Sequence, residues 1–281
     1  MRASEWVLIA YYAYTSVLAL VLPLRRPIPE VTLLVNLAVI AGLLILHHAE
    51  RTWRRTFWSM LRDWYPTPLM LLAYREMGWF APSSHTFELE RAWIVWDRLV
   101  LRQFGVKAGI ELLGPVLPAA LEISYSLVYT LAPFSVAMLY VYRRRQRVDQ
   151  FFFLFLIGIL LAYGQFPYWP SEPPRTVFPG EDFPSYVTIF RKFNWWLLGG
   201  YGIHTSVFPS AHVSAAFSAA FGMIRFLPEH KWVGRFVMVM AILISTATVY
   251  GRYHYFVDAV AGFALALLAS GISKIFSRTA A

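Results

Sequence analysis

Cysteine is absent from this chain of 281 residues, which excludes disulfides, thiolate nucleophiles and cysteine-ligated metals. Charge is scarce as well. Asp, Glu, Lys and Arg make up 15% of the residues, where a soluble domain carries about one-quarter. Hydrophobic residues reach 58% and aromatic ones 17%, with 11 Trp, the composition of a chain whose rings line two membrane interfaces. The formal charge of +9 would suit nucleic acid, but the arginines gather at the ends of apolar runs. That placement belongs to membrane anchoring and to contact with anionic lipid headgroups, so membrane lipids are the expected partners and nucleic acid is not. No internal repeat or low-complexity tract stands out.

A spanning helix takes about 20 mostly apolar residues. Residues 5–24, 31–48, 121–142, 150–169, 211–227, 232–250 and 255–276 meet that description. The first run is too long for a signal core and reads as a retained span. Residues 66–80 are apolar but contain Pro66, Pro68, Arg75 and Glu76, and a crossing is preferred there over a re-entrant segment. Residues 86–104 mix Glu88, Glu90, Arg91, Asp97, Arg98 and Arg102 with Trp93, Ile94, Trp96 and Leu99, an amphipathic helix for the interface. The polar connection 170–210, rich in Pro and aromatics, reads as an ordered cap. The basic residues Arg143 to Arg147, then His230, Lys231 and Arg235, then Lys274 and Arg278, fall on one predicted side. The positive-inside rule makes that side cytoplasmic and the 170–210 side extracytoplasmic.

Chemistry-bearing residues concentrate on the second side. His212 follows Pro209-Ser210 at the start of one apolar run, and Arg252, His254 and Asp258 lie at the start of another. Imidazoles and carboxylates are rare at such places without a chemical reason. His254 and Asp258 are four apart, on one helical face, so the carboxylate can hold the ring as it does for a nucleophile or base. Ser210 suits a helix N-cap, and the free amides beyond it favour an anion such as phosphate. Arg175 and Arg252 offer forked donors to phosphate oxygens. His254 could then attack phosphorus and His212, as imidazolium, could protonate the departing alcohol. Asp258 is the one carboxylate tied to the histidines by spacing, too few oxygen ligands for Mg²⁺, so neither metal nor cofactor is expected.

At these residues the chain resembles the type-2 phosphatidic acid phosphatase superfamily, whose marks are Pro-Ser-x-His and a later His-x-x-x-Asp at helix starts. Within it the chain is similar to the branch of inositol phosphorylceramide synthase (inositolphosphotransferase) and its bacterial relatives. That likeness rests on Pro173-Pro174-Arg175, on His254-Tyr255-Phe256-Val257-Asp258, and on Leu61-Arg62-Asp63-Trp64 with Ala73-Tyr74-Arg75-Glu76. The resemblance implies His212 as general acid, His254 as nucleophile, Asp258 as its orienter and Arg175 as a phosphate ligand. It also implies a phosphohistidine intermediate on a phospholipid or lipid-phosphate substrate. The acceptor is either water or a hydroxyl-bearing lipid or polyol, with transfer favoured, and a non-catalytic lipid-binding or transport protein is the different-class alternative. Departures accompany it. A lysine upstream of Arg-Pro is missing, Thr248 stands where an arginine six before the last histidine is usual, and Ala211 replaces a glycine.

The expected fold is therefore an all-α integral membrane protein, a six-helix phosphatase-type transmembrane core with extra N-terminal membrane helices and an interfacial amphipathic helix. Residues 1–105 would form the N-terminal elements and 106–281 the catalytic core. Other polar residues have plainer expected roles. Arg191 and Lys192 should face solvent or headgroups, Glu122 should sit in a buried packing network, and His204 should lack a direct role. His47, His48, His85 and His230 should be interfacial or solvated. Phe151 to Phe153 should be lipid-facing or core. Trp169, Trp195 and Trp196 should shield the site from water.

Overall fold

A computed structural model describes residues 1–53, 56–82 and 85–279, with side chains as far as Phe276. Arg54 and Arg55, inside the basic stretch from Arg51 to Arg62, fall outside the described residues, as does the side chain of Arg278. The described chain is all-helical, with one isolated bridge between Ser171 and Ser206. Its helices are α1 (Ala3–Val21), α2 (Ile28–Trp53), α3 (Thr56–Trp64), α4 (Pro66–Phe80), α5 (Glu88–Arg98), α6 (Val106–Glu111) and α7 (Val116–Ser126). They continue as α8 (Leu131–Val141), α9 (Val148–Tyr163), α10 (Pro174–Val177), α11 (Ile189–Tyr201), α12 (Ala211–Phe226), α13 (Lys231–Tyr250) and α14 (Phe256–Thr279).

Six helical stretches are long and apolar enough to cross a membrane: Ala3–Val21, Ile28–Trp53, Val116–Val141, Arg145–Tyr168, Pro228–Tyr250 and Phe256–Phe276. The chain is a multi-pass membrane protein. The third stretch joins α7 to α8 through a 3₁₀ turn over Leu127–Thr130. The run expected at 211–227 is α12, only 16 residues long, and it lies at the centre of the bundle against α9, α13 and α14.

Small residues let those central helices close. A Cβ at Gly158 would collide with the Ser218 side chain, and one at Gly262 with the Ser210 carbonyl oxygen. Ala215, Ala216, Ala219 and Ala220 are all buried on α12. In lipid, where apolar burial drives little helix association, such close approach is what holds helices together. The Ser214 hydroxyl adds a bond to the Gly158 carbonyl at 2.8 Å. Phe151, Phe152 and Phe153 are core.

Polar ties fix which helix ends lie together. Asp149, at the start of α9, accepts from the Ala3 and Ser4 amides at 3.1 and 3.0 Å and so caps α1. Arg62 pairs with Glu5 and Glu50, and Arg2 and Arg145 converge on Asp63 at 2.6 Å each. These buried ion pairs gather the starts of α1, α4 and α9 at the end that carries Arg143 to Arg147, here the arginine end. At the opposite end the segment 170–206 folds over the bundle as a cap containing α10 and α11. α4 runs from one end to the other. Beside its start Tyr65 donates to Glu5 at 2.8 Å, and near its far end the Tyr74 hydroxyl accepts from the Ile203 amide of the cap at 2.9 Å. Pro66 and Pro68 cause no break because they occupy the first turn; at 15 residues α4 is not among the six stretches long enough to span.

Candidate active site

At the cap end the chain's start of α12 and start of α14 are tied by their backbones. The Ser210 amide donates to the Asp258 carbonyl at 3.0 Å. Ser210 is the N-cap of α12, its hydroxyl accepting from the Val213 amide at 3.4 Å. That single crosslink sets His212, the second residue of α12, against His254, two residues before α14. Their ring centroids are 5.5 Å apart.

His254 is buried and its Nδ1 is doubly engaged, with the Val207 carbonyl at 2.9 Å and the Asp258 carboxylate at 3.3 Å. A carbonyl accepts only from N–H, so the proton sits on Nδ1 and the lone pair on Nε2. The other contact of Asp258 Oδ2 is the Tyr255 amide at 2.9 Å, which holds the carboxylate across the first turn. Burial, and then the Arg175 guanidinium, push the His254 imidazole down to about 3, so the ring is neutral. His212 stacks on Tyr125 with centroids 4.8 Å apart and planes 14° from parallel, and its Nε2 has no hydrogen-bond partner among the described residues.

Arg175 comes from the cap. Pro173 and Pro174 open the short α10, and the Arg175 amide donates to the Arg252 carbonyl at 3.3 Å. Its guanidinium lies 5.5 Å from the centre of the Tyr253 ring and makes no ion pair with any described carboxylate. Burial holds its pKa below the usual guanidinium value. Tyr253 in turn stacks on Tyr125 at 4.1 Å. Arg175, Tyr253, Tyr125 and His212 thus form a continuous stack along one wall of a cavity, and His254 lines it as well.

Two residues expected to bind substrate do something else here. Arg252 does not line the cavity. It is fully buried in the left-handed backbone region, φ 63°, and its guanidinium pairs with Asp97. The other Asp97 oxygen accepts from the Phe256 amide at 2.7 Å, so α5 pins the turn before α14 and caps that helix. The backbone turn at residues 251–253 points Arg252 back at α5, away from the rings. Ser210 is likewise a buried cap that does not line the cavity.

Behind the rings lies a buried polar network. Arg191, expected at the surface, is fully buried, pairing with Glu122 at 2.7 Å and donating to the Gly251 carbonyl at 3.0 Å. Glu122 also accepts from Asn194 at 2.7 Å and Tyr253 at 2.6 Å, the buried network expected of it. Arg191 and Asn194 are three apart on α11, and both face inward while Lys192 and Phe193 face out; that helical period was the available signal. His204 is exposed and outside the cavity, His85 bonds Glu90, and His230 stacks on Tyr142. Trp169, Trp195 and Trp196 are 41, 37 and 68% exposed. They do not shield the rings; Leu198, one turn beyond Asn194 on the inward face of α11, and Ile203 line the cavity instead. Among the described residues no three His, Asp or Glu side chains group as a metal site.

Fold and site together define a multi-pass membrane protein with two imidazoles, an orienting carboxylate and an unpaired guanidinium around one cavity at an end of the bundle. Residues 96–272, well over half of the chain, match the family model of the PAP2 superfamily, and the chain belongs to that superfamily. A stretch of 54 residues is 43% identical to a PA-phosphatase related-family protein of Dictyostelium discoideum. That stretch is 19% of this chain and 9% of that protein, so the chain spans under a tenth of this curated relative. No solved structure matches.

Proposed function

We propose that this protein transfers the phosphoryl-bearing group of a lipid phosphate ester through a phosphohistidine at His254. The observation that carries the reading is the 5.5 Å approach of the His212 and His254 rings in one cavity with Arg175, a guanidinium that lacks a carboxylate. His254 Nε2 attacks phosphorus as the ester P–O bond breaks. His212, protonated as the anionic phosphate enters beside it, gives that proton to the departing oxygen, a role worth about 10²–10⁴-fold in rate. Val207 and Asp258 hold the Nδ1 proton and stabilise the charge that the ring acquires. Arg175 and the first amides of α12 hold the phosphate oxygens through the transition state. In the second half an acceptor hydroxyl attacks phosphorus, its proton passes to His212, and the P–N bond breaks.

The mostly aliphatic and aromatic lining supports a lipid or polyol hydroxyl as acceptor, of the sphingolipid or inositol-phosphate type, over water. No cofactor or metal enters this scheme. Arg252 and Ser210 act as positioning residues in it, reached through Asp97 and the Asp258 carbonyl. Residues 106–281 form the catalytic core and 1–105 its membrane support, with α4 lending one cavity wall. The arginine end is cytoplasmic by the positive-inside rule, so the site is extracytoplasmic.

The test is to incubate purified protein with a panel of labelled phospholipids, with and without alcohol acceptors, and to trap acid-labile phosphoenzyme. Label recovered on the alcohol supports transfer, and free phosphate alone makes the protein a phosphatase. No turnover and no phosphoenzyme would leave a lipid-binding protein.

A further inference from the structure

A second group of buried polar atoms lies outside the catalytic cavity, among α1, α2 and α4. Glu76 on α4 is 0% exposed, and neither oxygen of its carboxylate has a hydrogen-bond partner among the described residues. The carboxylate faces Thr15 of α1 and Asn36 of α2. Thr15 lies about 18 Å along α1 and Glu76 about 15 Å along α4, both measured from the arginine end. That places the group well inside the hydrocarbon, where a carboxylate is costly and calls for a positive partner.

The proton donors around Glu76 are committed elsewhere. Tyr11 and Tyr12 donate to the Ala73 and Leu69 carbonyls at 3.4 and 2.7 Å. Thr15 and Ser16 both donate to the Tyr12 carbonyl, at 3.2 and 2.8 Å. With their protons given up, those two hydroxyls can only accept, and the Asn36 side-chain nitrogen donates to them at 2.9 and 3.0 Å. The amide is thereby oriented, and its Oδ1 is left buried without a partner. The hydroxyl of Thr32, one turn earlier on the same face of α2, is also buried and without a partner among the described residues. Arg75 reaches the other way, to the Tyr201 carbonyl at 3.0 Å. Glu76 is thus met by oxygen lone pairs and by no cation.

We propose that Glu76, Asn36 and Thr15, with Thr32 one turn beyond, bind a small hard monovalent cation of the sodium class between α1, α2 and α4. One carboxylate matches one positive charge, and a set made only of oxygens suits a hard ion. A proton on Glu76 would serve a single oxygen and leave the others bare. The ion acts as a bolt through three helices, in a medium where apolar burial drives little helix association. All three precede the segment 96–272 that matches the superfamily, so the site belongs to the N-terminal elements and does not depend on the catalytic reading.

The intact protein in lipid nanodiscs, held at constant ionic strength with N-methylglucamine chloride, tests this. Radiolabelled sodium should bind at about one ion per chain, and Tm should climb by an equal step for each tenfold of sodium above the dissociation constant. Glu76→Gln should lose both the bound label and the sodium step. Thr15→Val, which keeps shape and charge, should raise the sodium dissociation constant about fivefold or more, and it carries the test if Glu76→Gln fails to fold. No bound label on the wild-type protein, or an unchanged sodium step in Glu76→Gln, overturns the site. So does an infrared carbonyl stretch of a protonated carboxyl, present at neutral pH and removed by Glu76→Gln, because a proton would then fill the place.

Discussion

His254 donates its Nδ1 proton to the Val207 carbonyl at 2.9 Å, nearer than the Asp258 carboxylate at 3.3 Å. A peptide carbonyl cannot be titrated or removed by side-chain substitution, so the tautomer survives changes at Asp258. Asp258→Asn should therefore cost about 10–10²-fold in kcat, the share due to charge, and not the roughly 10⁴-fold seen where a carboxylate alone sets the tautomer. Steady-state rates on the best lipid phosphate decide it, and a loss of the larger size would mean that Val207 does not hold the ring.

With the imidazole pushed down to about 3 by burial and by Arg175, the sign of the pH effect is fixed. A lowered pKa keeps the neutral ring as pH falls, so acylation of His254 by diethyl pyrocarbonate, followed residue by residue, should stay flat from about pH 8 to about pH 5. Arg175→Gln removes the second cause and should raise the midpoint while burial keeps it under about 6.5. A wild-type midpoint near that ordinary value would contradict the site's electrostatics.

The proposed mechanism makes His212 the donor of a proton to the leaving oxygen. His212→Ala should slow phosphoenzyme formation about 10²–10⁴-fold with an alkyl leaving group and far less with a nitrophenyl one, which departs without a proton. Rapid-quench measurement of the first turnover separates the two, and equal losses would remove the acid role.

Asp97 both pairs with Arg252 and caps α14. Asp97→Asn leaves the cap's oxygen but strands a buried guanidinium, which costs about 3–5 kcal/mol. Adding Arg252→Met should restore much of the thermal stability in detergent, and activity with it if Arg252 only positions the turn. Stability regained without activity would return Arg252 to the phosphate.

Periodicity and composition gave the helical membrane fold, because hydrocarbon forces each segment to satisfy its backbone internally and leaves length and apolarity as the readable signals. The spacing of His254 and Asp258, and the Pro209-Ser210 cap before His212, were legible for the same local reason: helical geometry places them within one turn. What lies between segments was not. Arg252 and Arg175 look alike in sequence, and only the left-handed turn at 252 sends one to Asp97 and leaves the other in the cavity. Arg191 and Glu122 are 69 residues apart, and their pairing follows from how the cap folds back over α7. Contacts set by packing across the bundle depend on side-chain volumes and helix angles summed over several elements, which no local pattern encodes.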